Sequence, residues 1–369
     1  MIRLTRSSSV WILVATSGLC LYLYLETVVL RRPVILDQLV SREQRQLHPF
    51  IATIFTTAVL HSSALSTSST VQEVGSTIDR EQGVPMVLGA AFGTTVTCLL
   101  LSLVFFSGNT RSRQDKYGAE TALQLAVCHA LINAMGSVLI LGLELLFGIP
   151  STFAARIAPL FRRIQTVQNS PLIDFNFPQW EPSSITLAYV ISVLMLLALA
   201  GIGISVSHLT SAIDEFDART SLSLPIASQL LMTIIATVLL RSSSVATCIF
   251  AAFFSRAVRK LGIDETDSIR GGLPKLALAT AIGANLGTAV TAIVVALDSA
   301  SPGPLEVALV HCLAKMGALT LFGHRYALRA ILFATKNLAR GAVAYRPLGV
   351  AITVVIYYLL PLIVLRIEM

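Results

Sequence analysis

Residues 9–30, 185–207, 274–297 and 348–365 each approach the ~20 apolar residues a helix needs to cross a bilayer. Charge is correspondingly scarce. Of 369 residues, 54% are hydrophobic and 13% charged, against about 25% charged in a soluble domain. The chain therefore reads as an all-α polytopic membrane protein of the cell (plasma or inner) membrane, crossing it several times. A soluble enzyme is excluded, and no polar stretch is long enough to build a separate core. The net charge of +7 fits basic cytoplasmic loops better than a nucleic-acid surface. Cys20, Cys98, Cys128, Cys248 and Cys312 all lie in apolar segments without CxxC spacing, which reads as small core hydrophobes rather than a disulfide frame or zinc site. The first apolar stretch is too long for a signal peptide and ends at Arg31-Arg32, not at a small-residue cleavage site, so it reads as a retained helix.

Comparing the halves exposes a duplication. Leu60-His61-Ser62-Ser63-Ala64 recurs as Leu240-Arg241-Ser242-Ser243-Ser244. Gly89-Ala90-Ala91-Phe92-Gly93-Thr94-Thr95-Val96-Thr97 recurs as Gly283-Ala284-Asn285-Leu286-Gly287-Thr288-Ala289-Val290-Thr291. Ala126-Val127-Cys128-His129-Ala130-Leu131 recurs as Ala308-Leu309-Val310-His311-Cys312-Leu313. The copies keep their order at offsets of 180, 194 and 182 residues, with the slip absorbed around 255–272.

Each copy opens with an apolar run too short to span, 50–60 and 224–240, that ends in serines. Paired short runs of this kind predict re-entrant hairpins whose irregular tips line a cavity; the plainer alternative for 61–70 is a serine-rich linker. Longer apolar stretches follow, 84–106 with 119–147 and 274–297 with 305–322. The Gly-Ala-x-x-Gly-Thr segment inside the first of each pair predicts an unwound transmembrane helix, or else a close-packed face of small residues. The expected organisation is a first helix and linker (1–46), repeat 1 (47–148), an extramembrane connector (149–184) carrying Pro150, Pro159, Pro171, Pro178 and Pro182, a linking helix (185–223), repeat 2 (224–323), and a basic loop with the last helix (324–369). The two repeats are expected in inverted topology. Under that arrangement the loops on the side of the N-terminus hold 15 Lys or Arg against 9 on the other, which orients the N-terminus to the cytoplasm.

Ionisable groups inside the bilayer are functional candidates: Glu26, His61, His129, Glu144, Arg241, His311 and Lys315. They show no metal-ligand spacing, and the chain has no phosphate-binding P-loop motif for ATP. Serine hydroxyls and free amides at a half-helix N-terminus favour an oxyanion, whereas hydroxyl and carbonyl oxygens suit a hard cation such as Na⁺. Two tips meeting near the midplane would make a joint site for both. His129 and His311 read more simply as helix-packing residues.

A serine cluster at a short-helix tip followed by Gly-Ala-x-x-Gly-Thr in both halves, with Gly-Ala-Asn-x-Gly-Thr in the second, resembles the sodium/phosphate cotransporter family, which includes the type II Na⁺/phosphate cotransporters and their bacterial relatives. The resemblance covers roughly 47–147 and 224–323. It implies sodium-coupled symport of inorganic phosphate by alternating access, with Na⁺ as coupling ion, no other cofactor or metal, and no nucleic-acid partner. It carries substrate-binding roles to Ser62, Ser63, Ser66, Thr67, Arg241, Ser242, Ser243, Ser244, Thr247 and Asn285, and sodium-binding roles to Gly89, Thr94, Thr95, Gly283 and Thr288. His61 and Lys315 become candidate pH or charge modulators. Four departures are plain. His61 and Arg241 replace the family's glutamines, Ala91 replaces the first motif's Asn, and Lys315 stands where the first half has Asn133. Arg241 is open to three readings: a phosphate ligand, a fixed charge replacing a sodium ion, or a structural ion pair with Glu144. His61 reads either as a titrating group or as a hydrogen-bonding substitute for Gln. The rival functions are a sodium-independent exporter of phosphate or carrier of another oxyanion such as sulfate, and a non-transporting regulatory protein.

Overall fold

The computed structural model describes residues 47–106, 112–165, 222–263, 272–297, 301–322 and 325–368, with isolated positions in 14–25, 190–206 and at 299. The first expected span and most of the 185–223 helix lie outside the described residues. Every element among them is helical. Four helical segments, Arg80–Val104, Arg113–Phe147, Leu273–Leu297 and Arg346–Ile367, are long and apolar enough to cross a membrane.

Helix α1 (Leu47–Leu60) has 14 residues and stops at His61. At 1.5 Å per residue it is about 21 Å long, short of a ~30 Å hydrocarbon core. Helix α2 (Ser63–Glu73) follows, and every residue from Ser63 to Thr70 is buried. The serine-rich stretch is therefore no surface linker. Helix α3 (Arg80–Gly93) gives way at Thr94 to α4 (Thr95–Leu101) and a π-turn over Ser102–Phe106. Helix α5 (Arg113–Phe147) starts on a reciprocal cap between Ser112 and Asp115 and ends at Gly148, whose φ of 60° closes it.

The later elements follow the same order. Helix α7 (Ile226–Leu240) stops at Arg241, α8 (Ser243–Leu261) leaves from Ser242, α9 is Leu273–Leu297 and α10 is Gly303–Phe322. Here one expectation is corrected: α9 runs unbroken through Gly283 and Gly287, so an unwound helix is absent from the second copy. The reason is packing. A Cβ on Gly283 would lie 2.7 Å from the Leu230 carbonyl oxygen, and one on Gly287 would lie 2.6 Å from Thr237 Cβ. In the first copy a Cβ on Gly93 would lie 2.5 Å from the Ile54 carbonyl oxygen and 2.9 Å from Thr57 Cβ, while Gly89 faces Phe50 and Thr53. These glycines let α3 lie on α1, and α9 on α7, at backbone-contact distance in matching register.

Two further expectations change. The connector begins as a helix, α6 (Ile149–Gln165), with Ala154 and Ala158 buried against the bundle. Pro150 is tolerated because it sits in the first turn, where an N–H has no helical acceptor. Residues 166–184 lie outside the described residues. The basic 324–347 loop is largely a helix as well, α11 (Arg325–Ala344), because Ile331, Thr335, Ala339 and Val343 recur every four residues and bury one face. The chain closes with α12 (Arg346–Val354), a π-turn over Val355–Leu359, and α13 (Leu360–Glu368).

Two large apolar clusters divide the bundle, beside a smaller third that gathers Leu60, Leu65 and Val245 with Met195 and Leu199. One joins α4, the first half of α5, α8, the start of α9 and α11; the other joins α1, α3, the far part of α5, α6, the end of α9 and α10. Between them, along each long helix, falls a buried polar band: Thr94, Thr95 and Thr97; Asn133 and Ser137; Asn285 and Thr288.

Replacing Gly93 by Ala overpacks the α1–α3 contact and should cost about 1–3 kcal/mol. Gly142, with nothing within 4 Å of a Cβ, should accept Ala at no cost. Thermal unfolding of the two variants in detergent checks the contrast.

Candidate functional site

The polar band is built around two helix breaks with the same local geometry. His61 and Arg241 are the non-glycine residues of positive φ among those described, at 56° and 51°. The next residue in each copy is extended and caps the following helix. Ser62 Oγ accepts from the Leu65 N–H at 3.2 Å, and Ser242 Oγ from the Val245 N–H at 3.3 Å. Serine favours such breaks because its hydroxyl supplies an acceptor to N–H groups that have no helical partner.

Beyond the caps, hydroxyls divide into bonded and unbonded. Ser66 Oγ donates to the Ser62 carbonyl at 3.2 Å and Thr247 Oγ1 to the Ser243 carbonyl at 2.7 Å. Ser63, Thr67 and Ser243 are buried with hydroxyls that have no hydrogen-bond partner among the described residues. Thr57 and Thr237 are buried and unpartnered in the same way. They lie opposite Gly93 and Gly287, four residues before each break. Sequence reasoning missed both threonines, although each keeps the 180-residue offset of the tips.

One expected pair meets across the halves. Ser244 Oγ donates to the Thr94 carbonyl at 2.7 Å and lies 3.1 Å from Thr94 Oγ1, at the point where α3 gives way to α4. Thr95 instead faces the last helix: its Oγ1 lies 2.6 Å from the Tyr357 hydroxyl and 2.8 Å from the Phe92 carbonyl. Tyr357 lies outside the repeated segments and carried no sequence signal. Thr288 bonds only its own helix, to the Ala284 carbonyl at 3.1 Å. Gly89 and Gly283 serve close approach in this geometry.

A second cluster joins three helices. Lys315 Nζ donates to Asn285 Oδ1 at 3.0 Å and to Asn133 Oδ1. Asn285 Nδ2 lies 3.4 Å from His129 Nδ1, and Asn133 Nδ2 donates to the His129 carbonyl at 2.8 Å. His311 Nδ1 lies 3.2 Å from the Val87 carbonyl, while Nε2 of both histidines has no partner among the described residues. His61 Nδ1 lies 3.1 Å from Thr97 Oγ1, a bond within the first half.

Arg241 is half-buried and has no hydrogen-bond or ion-pair partner among the described residues. The reading that pairs it with Glu144 fails, because that carboxylate caps α6 by accepting from the Ser151 N–H at 3.0 Å and from the Ser151 hydroxyl. The polar groups gathered at the breaks and around Lys315 are hydroxyls, amides, imidazoles, an amine and a guanidinium, with no carboxylate among them. Such a set can donate to an anion's oxygens, and its hydroxyl and amide oxygens can ligate a hard cation. No group of three or more His, Cys, Asp or Glu able to hold a metal ion occurs among the described residues.

Ser244→Ala should destabilise the protein by about 1–3 kcal/mol, since it leaves the buried Thr94 carbonyl without that donor. Thr247→Ala, which removes a bond within one helix, should cost less. Urea or thermal unfolding of both variants in detergent tests the ranking.

No protein-family model, curated protein or solved structure matches this chain.

Proposed function

We propose that this chain is a secondary active transporter that carries inorganic phosphate across the cell membrane by alternating access, coupled to sodium. In this reading 47–148 and 224–323 are two inverted-topology repeats, α1–α2 and α7–α8 are re-entrant hairpins, and Ser62–Ala64 and Ser242–Ser244 are their facing tips. The observation that carries the reading is the matched set of unpartnered buried hydroxyls, Thr57 and Ser63 in one half and Thr237 and Ser243 in the other. Buried polar atoms are nearly always hydrogen-bonded, so this matched set of idle hydroxyls around two capped breaks fits a ligand with many oxygens or a coordinated cation.

Other features support the same reading. Arg241, with no partner of its own among the described residues, stands beside the second tip as a bidentate donor for a phosphate. The equivalent packing of α1 on α3 and of α7 on α9, in matching register, fits a duplicated unit. Two ion pairs join separate helices: Arg80 pairs with Glu306 at 2.8 Å where α3 and α10 begin, and Arg340 with Glu120 at 3.6 Å near the start of α5. A second reading, a carrier of phosphate or sulfate that needs no sodium, draws on the fixed charges of Arg241 and Lys315.

Uptake of radiolabelled phosphate into proteoliposomes separates these readings. An inward sodium gradient should stimulate uptake several-fold over an equal potassium gradient. Equal uptake in both favours the sodium-independent carrier, and no uptake in either rejects phosphate transport. Ser243→Ala, still inserted and folded, should lose about tenfold or more of the uptake, the scale of one ~1.4 kcal/mol contact; wild-type uptake would remove Ser243 from the site.

A further inference from the structure

The Lys315 cluster has the form of an occupied cation site. Lys315 is 2% exposed, and no carboxylate among the described residues pairs with it. Its amine is held by two amide oxygens, Oδ1 of Asn133 and Oδ1 of Asn285, which come from α5 and α9, one from each repeated segment. The amide nitrogens are turned away: Asn133 Nδ2 donates to the His129 carbonyl at 2.8 Å, and Asn285 Nδ2 to the Ala281 carbonyl at 2.9 Å. Those bonds fix both amides with their negative ends converging on one point. Oxygen dipoles converging from opposed helices make a site for a hard cation, and here the Lys315 nitrogen fills it.

The duplication points to how this arose. Asn133 follows His129 by four residues as Lys315 follows His311, so an amide in one half is matched by an amine in the other. A buried cation without a carboxylate partner is costly, and an anion carried through the same polar band would supply the missing counter-charge.

We propose that the Lys315 ammonium is a built-in coupling cation, occupying a site formed by the Asn133 and Asn285 amide oxygens that a sodium ion would otherwise fill, and balancing one charge of the transported anion. This rests on the transport reading above and sharpens it: the chain needs one sodium ion fewer per anion than its architecture would otherwise hold.

The test is equilibrium binding to the purified full-length protein, wild type and Lys315→Asn, in sodium chloride and in choline chloride of equal ionic strength. Wild type should bind labelled phosphate in choline within about tenfold of its affinity in sodium. Lys315→Asn should lose about a hundredfold in choline, recover in sodium, and show a sodium dependence steeper by one ion. Removing a buried charge relieves its desolvation, so the variant should fold; Lys315→Gln gives the same expectation if it does not. A readout without phosphate is the count of bound ²²Na⁺, which should be one higher in Lys315→Asn. Equal sodium counts and equal sodium dependence in variant and wild type overturn the proposal. Absence of phosphate binding in both salts overturns the transport reading, while the sodium count still judges the Lys315 site.

Discussion

Everything at the centre of this bundle depends on how two helices can stop inside an apolar body without leaving their backbone groups unsatisfied. A break at that depth exposes carbonyls of one helix and N–H groups of the next where no water is at hand. The chain answers at both breaks with a serine whose hydroxyl takes up an N–H three residues on. The residue before it turns left-handed, in His61 and Arg241 alike. Most L-residues avoid that region, and persistence of such a conformation at two sites signals a surrounding structure that over-determines it. Because the turn is fixed, the hydroxyls that follow it are fixed too, and some of them have no partner among the described residues.

The glycine motifs extend that constraint to the neighbouring helices. A helix that stops short needs a partner along its whole length, and α3 and α9 provide it by approaching to distances that forbid a side chain at Gly93, Gly283 and Gly287. That explains why α9 can remain continuous. The glycines are occupied with contact rather than with unwinding, and a glycine in a helix interior does not break it when packing offsets its entropy cost. The interruption of the first copy at Thr94 has a separate local cause in its environment: the Thr94 carbonyl accepts a hydroxyl from Ser244 across the bundle. Ala64, matched to Ser244 by the offset, has no hydroxyl to return to Thr288, which turns back on its own helix. The cross-bundle bond is thus one-sided, and so is the break.

The short helices, their serine breaks and the helical class were legible in the sequence because each follows from a local rule: length against bilayer thickness, and serine as a cap. Helix α11 was not read, because its charges marked it as a loop, although its sequence is strongly amphipathic and buries Ile331, Thr335, Ala339 and Val343 on one face. Thr57 and Thr237 went unnoticed since a threonine inside an apolar helix ordinarily bonds its own backbone, as Thr53 and Thr233 do. Only packing reveals that two of the four do not. Tyr357 reaches Thr95 from a helix beyond both repeats, a long-range contact that no periodicity encodes.

The asymmetry between the halves has an electrostatic consequence. A strictly symmetric duplication would place an amide at both 133 and 315 and gather oxygens around an empty centre, whose dipoles demand a cation from solution. Changing one amide to lysine satisfies those dipoles from within the chain, with Lys315 Nζ donating to both amide oxygens. On the proposed reading each alternative puts one unit of positive charge at the same point, so the field on an anion at the tips is conserved while the source of the charge changes. A mobile cation must be collected from solution on every cycle and depends on its concentration there. A tethered one costs its desolvation once, on folding, and stays. On the transport reading proposed above, one substitution between the two copies is therefore enough to change what the carrier draws on, without moving a helix.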